Sequence, residues 1–283
     1  MQPFSLLLFN HIPKTGGVTL RAILNKVYGE KQIFQIKSTN IGESLNRFKN
    51  LSEAEKQQYS VISGHGAELF MPYTDHPFRL TVLREPVLQF ISQYHYLKNT
   101  TGSGFYEELK ELDSLEDYLD FAIENGQDNL LTRYLSNSVQ FLADPSLPIP
   151  NMQNEGNKLL DKAMNTMREY DAVIDLADFD AGVFALARKL EWNHIPIYRP
   201  GNRNRNNPGI GPVPGNILDA VKEALRWDII LYDKFREEKL ACGHAINRHS
   251  TAFKIFQLRQ VAIYLLIKIP RITNHKAIPA RKP

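Results

Sequence analysis

Short apolar runs alternate along the chain with segments whose apolar residues recur every three or four positions. Continuous apolar runs are typical of buried strands, and the wider spacing is typical of helices with one buried face. The predicted strands are 4–9, 59–63, 78–83, 172–176 and 195–198. The predicted helices are 18–28, 44–58, 86–98, 115–124, 129–135, 158–169, 178–190 and 216–239.

This alternation predicts an α/β fold with three layers, in which a central, mostly parallel sheet is flanked by helices on both faces. Residues 143–157 are rich in Pro and Asn, and residues 199–209 are polar and basic, so both are predicted to be surface loops. Without an internal repeat or an evident linker, the simplest division is one domain over residues 1–240 and an extension over residues 241–283.

Composition narrows the class of protein. Of the 283 residues, 43% are hydrophobic and 23% charged, which excludes a disordered chain and a collagen-like repeat. The single cysteine, Cys242, excludes an internal disulfide and a Cys-rich metal site. A net charge of +3 gives no reason to expect a nucleic-acid partner. No basic segment precedes the apolar run at residues 4–9, so the chain is expected to be cytoplasmic and to lack a signal peptide.

The positive charge is concentrated in the C-terminal extension. Residues 241–283 contain eight Lys and Arg residues and no Asp or Glu, so the rest of the chain is net acidic. Residues 253–269 carry an apolar stripe that charged residues interrupt, and a membrane span is therefore not predicted. Two interpretations remain open: a helix that packs on the domain, or an interfacial helix that contacts anionic lipid.

The segment between the first predicted strand and helix is the first candidate site. A loop that contains glycines and precedes a helix directs backbone N–H groups and positive potential toward one point. Lys14 adds a full charge, and Thr15 and Thr19 add hydroxyl donors. This pattern predicts a phosphate or sulfate site, although neither G-x-x-x-x-G-K-[ST] nor G-x-G-x-x-G is present. The alternative is an ordinary turn with a surface lysine.

A second candidate site follows the strand at residues 78–83. Arg84 is placed at the end of this strand and Ser92 on the next helix, where they could bind another phosphate. The alternative is a surface salt bridge from Arg84 to Glu85. Because ligands of open α/β sheets bind beyond the carboxyl ends of the strands, both candidate sites are expected at the same edge.

Together these segments resemble the sulfotransferases that use 3′-phosphoadenosine 5′-phosphosulfate (PAPS). The loop resembles their 5′-phosphosulfate loop, and the segment around Arg84 resembles their 3′-phosphate motif. The branch with the greatest similarity contains the heparan sulfate and uronyl 2-O-sulfotransferases and their bacterial relatives. The segments that carry the resemblance, in chain order, are His11-Ile12-Pro13-Lys14-Thr15-Gly16-Gly17-Val18-Thr19-Leu20, 82–87 with Ser92, Asp128-Asn129-Leu130-Leu131-Thr132-Arg133-Tyr134-Leu135, 173–190, and 202–208 before 228–232.

The resemblance implies a P-loop-like fold with PAPS as the sulfuryl donor. The residues that would hold the 5′-phosphate and the sulfuryl group are Lys14, Thr15, Gly16, Gly17, Val18 and Thr19. Arg84 and Ser92 would bind the 3′-phosphate. Arg203 and Arg205 would close over the donor, unless their loop is simply solvated. The implied reaction is in-line, metal-independent transfer to a hydroxyl of a carbohydrate or another small acceptor.

Two residues are predicted to be catalytic. Lys14 would stabilise negative charge on the leaving phosphate, and His65 would remove the proton of the acceptor hydroxyl. His11 is a rival base that is expected to be structural. Glu68 and Glu85 are weaker alternatives.

Two other functions remain open. A nucleotide-dependent kinase would need Mg²⁺ and a carboxylate, and Asp175 is the only Asp at a predicted strand end. A non-catalytic nucleotide- or glycan-binding protein at a membrane surface would use the basic extension for attachment. The sulfotransferase hypothesis makes one structural demand: Lys14, Arg84 and Ser92 must line the same cleft.

Overall fold

The computed structural model describes residues 6–102, 104–112, 114–198, 213–241 and 250–268. Five parallel strands form one sheet in the order β2-β3-β1-β4-β5. The strands are β1 (Leu7–Asn10), β2 (Ile33–Gln35), β3 (Val61–Gly64), β4 (Phe78–Leu83) and β5 (Ala172–Asp175).

Helices connect the strands and cover both faces of the sheet. The helices are α1 (Gly17–Tyr28), α2 (Ile41–Lys49), α3 (Glu53–Lys56), α4 (Pro86–Asn99), α5 (Tyr106–Leu109), α6 (Leu115–Glu124), α7 (Leu130–Leu135), α8 (Met152–Arg168), α9 (Phe179–Lys189), α10 (Gly215–Ala224), α11 (Arg226–Ala241) and α12 (Thr251–Lys268). Among the helices described, none is both long enough and apolar enough to cross a bilayer.

The central strand shows why its sequence is a continuous apolar run. Leu7 and Phe9 of β1 pack on one face of the sheet, in the core cluster that includes residues of α1, α9 and α12. Leu8 points to the opposite face, where it packs with residues of β2, β3 and α2. Because both faces are buried, every residue of the strand is buried. The predicted three-layer α/β fold is thus confirmed.

Several predicted element boundaries are wrong. The helix predicted over residues 44–58 is two helices, because Ser52 and Glu55 form a capping box that starts α3. The helix predicted over residues 216–239 is also two, with Leu225 ending α10 before α11 begins. The loop predicted at residues 143–157 ends early: the Asn151 side chain caps α8, which begins at Met152.

One predicted strand is absent and one strand is new. Residues 195–198 form no strand, because their backbone bonds to side chains: the Ile197 carbonyl accepts from Lys26, and the Tyr198 N–H donates to Gln260. The short strand β2 was not predicted. The basic loop predicted at residues 199–209 lies outside the described residues.

The segment that begins at Asp128 forms a buried polar network. Arg133 donates to Asp128 Oδ1 at 2.6 Å and to the Pro150 carbonyl at 2.9 Å. Asp228 of α11 accepts the backbone N–H groups of Leu131 and Thr132 at 2.9 and 2.7 Å. Two of the segments that carry the family resemblance therefore meet each other, and they hold α7 against α11.

Replacing Arg133 with Leu is expected to lower the free energy of unfolding by about 3–5 kcal/mol, because Asp128 would remain as a buried charge without its cation. Chemical denaturation measures this change. The matched control is Arg168→Leu, which removes an exposed ion pair with Glu238 and should cost no more than about 1 kcal/mol. Equal effects of the two substitutions would contradict a structural role for the buried pair.

The first turns of α12 pack on the domain. Phe253 and Phe256 are buried, and their rings lie 5.2 and 5.7 Å from that of Phe184 on α9. This helix lies within the predicted extension, yet it contributes to the core cluster that covers one face of the sheet.

Candidate functional site

A cleft of about 880 Å³ lies at the carboxyl edge of the sheet, where the segments after β1, β3, β4 and β5 converge. This is the edge at which open α/β sheets bind their ligands. The lining includes Lys14, His65, Arg84 and Ser92. The structure therefore brings together the phosphate-site candidates and the base candidate, as the hypothesis demands.

The loop after β1 exposes the N-terminus of α1 to the cleft. Gly16 precedes the helix with a φ of 90°, a left-handed conformation that glycine adopts without strain. A Cβ atom on Gly17 would lie 1.9 Å from Cδ2 of the buried His11 ring, so only glycine fits there. With no side chains at these positions, a bound anion can approach the backbone N–H groups of the first helical turn.

Thr15 and Thr19, the two threonines predicted to supply hydroxyl groups, differ in whether they line the cleft. Thr15 is fully buried, and its hydroxyl donates to the Ile12 carbonyl at 2.8 Å rather than toward the cleft. The hydroxyl expected to bind an anion is therefore used within the loop, and the residues that line the cleft do not include Thr15. Val18 and Thr19 both line the cleft.

Lys14 is held in an unusual conformation. Its φ of 62° is left-handed, which costs a non-glycine residue roughly 1–3 kcal/mol and is common at functional sites. Its ammonium lies 4.1 Å from the centroid of the Tyr96 ring. Burial and, secondarily, the nearby Arg84 lower the pKa of Lys14 to about 8. Lys14 thus carries its charge at neutral pH and loses it in mild alkali.

Arg84 connects the segment after β4 to the loop after β1. Its Nη1 donates to the Lys14 carbonyl at 3.0 Å, which uses one of the five N–H groups of the guanidinium. Burial lowers the pKa of Arg84, and Glu85 opposes that shift. The Glu85 carboxylate itself accepts the N–H groups of Val87 and Leu88 and so caps α4. It therefore acts as a helix cap, and the alternative of a catalytic base at Glu85 finds no support in its contacts.

One face of α4 forms a wall of the cleft. Gln89 and Tyr96 of this helix contact the Lys14 loop and were not predicted as part of the site. Gln89 donates to the Pro13 carbonyl at 2.7 Å and so holds the loop against the helix. Tyr96 supports the Lys14 ammonium, as described above. Both residues lie three or four positions from Ser92, a spacing that places all three on the same helix face.

His65 has a defined tautomer. Its Nδ1 lies 2.6 Å from the His11 carbonyl, and since a carbonyl only accepts, Nδ1 carries the hydrogen. In the neutral ring, the lone pair that can take a proton is then on Nε2. Burial lowers the pKa of His65, Arg21 lowers it further, and the bond to His11 opposes the shift. His65 is therefore neutral at pH 7, the form that a general base requires.

His11 acts as a platform for His65. Its buried ring stacks between Phe9 and His65, with centroid distances of 5.6 and 4.5 Å. Burial and, secondarily, the proximity of His65, Arg21 and Lys14 hold the pKa of His11 well below its ordinary value. The ring packs against Gly17 and also lines the cleft beside His65, so His11 stays the alternative base.

The remaining carboxylate candidates are engaged elsewhere. Glu68 is buried and accepts from Arg79 at 2.8 Å and from Tyr170, so the interpretation of Glu68 as a base is not supported by its position. Asp175 is buried and accepts from the Ala177 N–H and the Tyr232 hydroxyl. Both carboxylates stabilise the fold around the sheet.

In comparisons with known proteins, no protein family and no curated protein matches this chain. The candidate site therefore rests on its residues and their geometry. Arg203 and Arg205, predicted to close over a donor, lie outside the described residues.

The two ends of the cleft differ in character. Toward β5, the lining includes Leu176, Phe179 and Tyr198. Toward β3, it includes His65 and Tyr134, whose rings meet edge to face with centroids 6.2 Å apart. The Lys14 loop lies between these ends, because β1 is flanked by β3 and β4 in the sheet.

Proposed function

We propose that this protein is a sulfotransferase that moves a sulfuryl group from PAPS to a hydroxyl of a carbohydrate or another small acceptor. One observation carries the proposal. The cationic loop at the start of α1, the Arg84 guanidinium bonded to that loop, Ser92 and a neutral histidine all line one cleft. A donor with two separate phosphate positions and a neutral hydroxyl acceptor suits such a site.

The donor would lie across the centre of the cleft and toward β5. The N-terminus of α1 and Lys14 would bind the 5′-phosphosulfate, since backbone N–H groups and an ammonium together favour an anion. Arg84 and Ser92 would bind the 3′-phosphate by charge-assisted hydrogen bonds. The apolar and aromatic residues toward β5, such as Phe179 and Tyr198, suit a flat nucleobase.

The acceptor would then enter from the β3 end, where His65 lies. The acceptor oxygen forms a bond to sulfur while the bond from sulfur to the bridging phosphate oxygen breaks, and the hydroxyl proton passes to Nε2 of His65. Lys14 would stabilise the charge that develops on the leaving phosphate. As in phosphoryl transfer, most of the rate enhancement would come from positioning and from electrostatic stabilisation.

Binding of adenosine 3′,5′-bisphosphate tests the donor assignment without needing the acceptor. Isothermal titration is expected to show tighter binding of this ligand than of ADP or adenosine 5′-monophosphate, with no dependence on Mg²⁺. Ser92→Ala should weaken the bisphosphate by roughly tenfold, because it removes one hydrogen bond to a charged group. Its effect on adenosine 5′-monophosphate should be small, since that ligand lacks the 3′-phosphate.

The competing functions give different results in the same experiment. Tighter binding of ADP with Mg²⁺ would favour a kinase and contradict the assignment of Arg84 and Ser92. Tight binding of the bisphosphate, with no transfer of labelled sulfate to any hydroxylated acceptor in a broad screen, would favour a non-catalytic binding protein.

A further inference from the structure

The helix α12 buries one face and exposes another. Phe253 and Phe256 are buried in the core, and Gln260 accepts the Tyr198 N–H at 3.2 Å. On the other side, Ile255 is 47% exposed and Leu258 is 67% exposed. Since residues three apart share a helix face, these two side chains form one apolar patch directed away from the domain.

Basic residues border this apolar patch. Lys254 and Arg259 are both exposed. At about 100° per residue, they lie on opposite flanks of the face that Ile255 and Leu258 share. The surrounding segment, residues 241–283, contains eight Lys and Arg residues and no acidic residue. An exposed apolar face with basic flanks is the pattern of helices that lie in the interface of a membrane with anionic lipids.

We propose that α12 docks the protein on an anionic lipid bilayer. Ile255 and Leu258 would enter the boundary between head groups and acyl chains, while Lys254 and Arg259 would contact lipid phosphates. The two interpretations left open by the sequence, packing on the domain and contact with lipid, describe opposite faces of one helix. This proposal is independent of sulfuryl transfer, because its residues lie outside the candidate catalytic set.

The docked orientation leaves the cleft accessible. Phe253 and Gln257 of α12 line the cleft, and they lie on the side of the helix opposite to the apolar patch. The bilayer would therefore cover the outer face of α12 without entering the site. A docked protein could take its acceptor from the membrane surface or from solution.

Co-sedimentation of the full chain with vesicles tests the proposal. The wild-type protein is expected to bind phosphatidylcholine vesicles that contain phosphatidylglycerol, and to bind vesicles of phosphatidylcholine alone more weakly. Combining Ile255→Glu with Leu258→Glu should weaken binding by roughly tenfold or more, because two apolar contacts are lost and two negative charges are added. The matched control is Ile230→Glu on α11, whose side chain is also 47% exposed and which should bind like the wild type.

A second pair of substitutions tests the same proposal even if the first variant does not fold. Lys254→Glu with Arg259→Glu leaves every apolar contact in place and should abolish the preference for the anionic vesicles. The proposal is overturned if the wild type does not bind anionic vesicles, or if folded variants of both kinds bind as tightly as it does. It is also overturned if size-exclusion chromatography shows a dimer that the Ile255/Leu258 variant breaks, since a second copy would then cover the patch.

Discussion

Replacing Lys14 with Ala is expected to lower sulfuryl transfer by roughly 10²–10³-fold, the usual effect of removing one preorganised group that stabilises developing charge. Release of adenosine 3′,5′-bisphosphate from PAPS in the presence of an acceptor measures this loss. The fold should remain intact, because Ala and Lys pay the same penalty for the left-handed backbone at this position. Among the residues that the structure describes, the contact recorded for its ammonium is the cation–π contact with Tyr96.

The pH dependence gives the Lys14 assignment a second readout. With the Lys14 pKa at about 8, kcat/KM should fall as the pH rises through 8, because the ammonium loses its charge. Lys14→Arg should retain part of the activity and move this alkaline limb upward, since a guanidinium stays protonated. Lys31→Ala is the matched control: this exposed lysine precedes β2 and so lies at the opposite edge of the sheet. Wild-type turnover by Lys14→Ala would refute the catalytic role.

Replacing His65 with Ala is expected to lower kcat by roughly 10²–10⁴-fold, the range associated with general-base catalysis. The affinity for adenosine 3′,5′-bisphosphate should change little, because His65 lies toward β3 and Arg84 toward β4. Single-turnover measurement of transfer, together with titration of the bisphosphate, separates the chemical step from donor binding. A collapse of donor affinity would instead place His65 in the donor site, and the base would have to be sought elsewhere.

His65 should also determine how kcat/KM declines at acid pH. Because burial lowers the His65 pKa below its ordinary 6.5, the neutral form is present at pH 7 and is lost as the pH falls through the lowered value. The wild-type kcat/KM should therefore decline in acid, and His65→Ala should lack that decline. His76→Ala serves as the control, since the His76 side chain is fully exposed and lies two residues before β4, at the far edge of the sheet.

Four of the five strands were predictable because each lies in a short, mainly apolar run, which a sheet buried on both faces favours. The strand β2 escaped prediction, since three residues after a turn give no periodic signal. The failure at residues 195–198 has a different cause. The sequence there is as apolar as a strand, but Lys26 and Gln260 satisfy its backbone, and such long-range contacts leave no local pattern.

Sequence motifs were sufficient to predict those residues of the candidate site that lie within a motif. Lys14 and Arg84 follow strands that meet at one edge, so their proximity follows from topology. The roles of Gln89 and Tyr96 depend on which face of α4 meets the Lys14 loop. Their spacing from Ser92 is the one signal in the sequence that could have indicated this face. The assignment of Thr15 as a hydroxyl donor failed because its side chain turns inward to the Ile12 carbonyl.

The packing of α12 determines where the chain can be shortened without harm. A protein ending at residue 240 would match the boundary expected from the sequence, yet it would strip Phe253 and Phe256 from the core and leave Phe184 uncovered. It would also remove part of one wall of the cleft, to which Phe253 and Gln257 belong. The buried core of this protein therefore extends into the segment that charge alone would class as a tail.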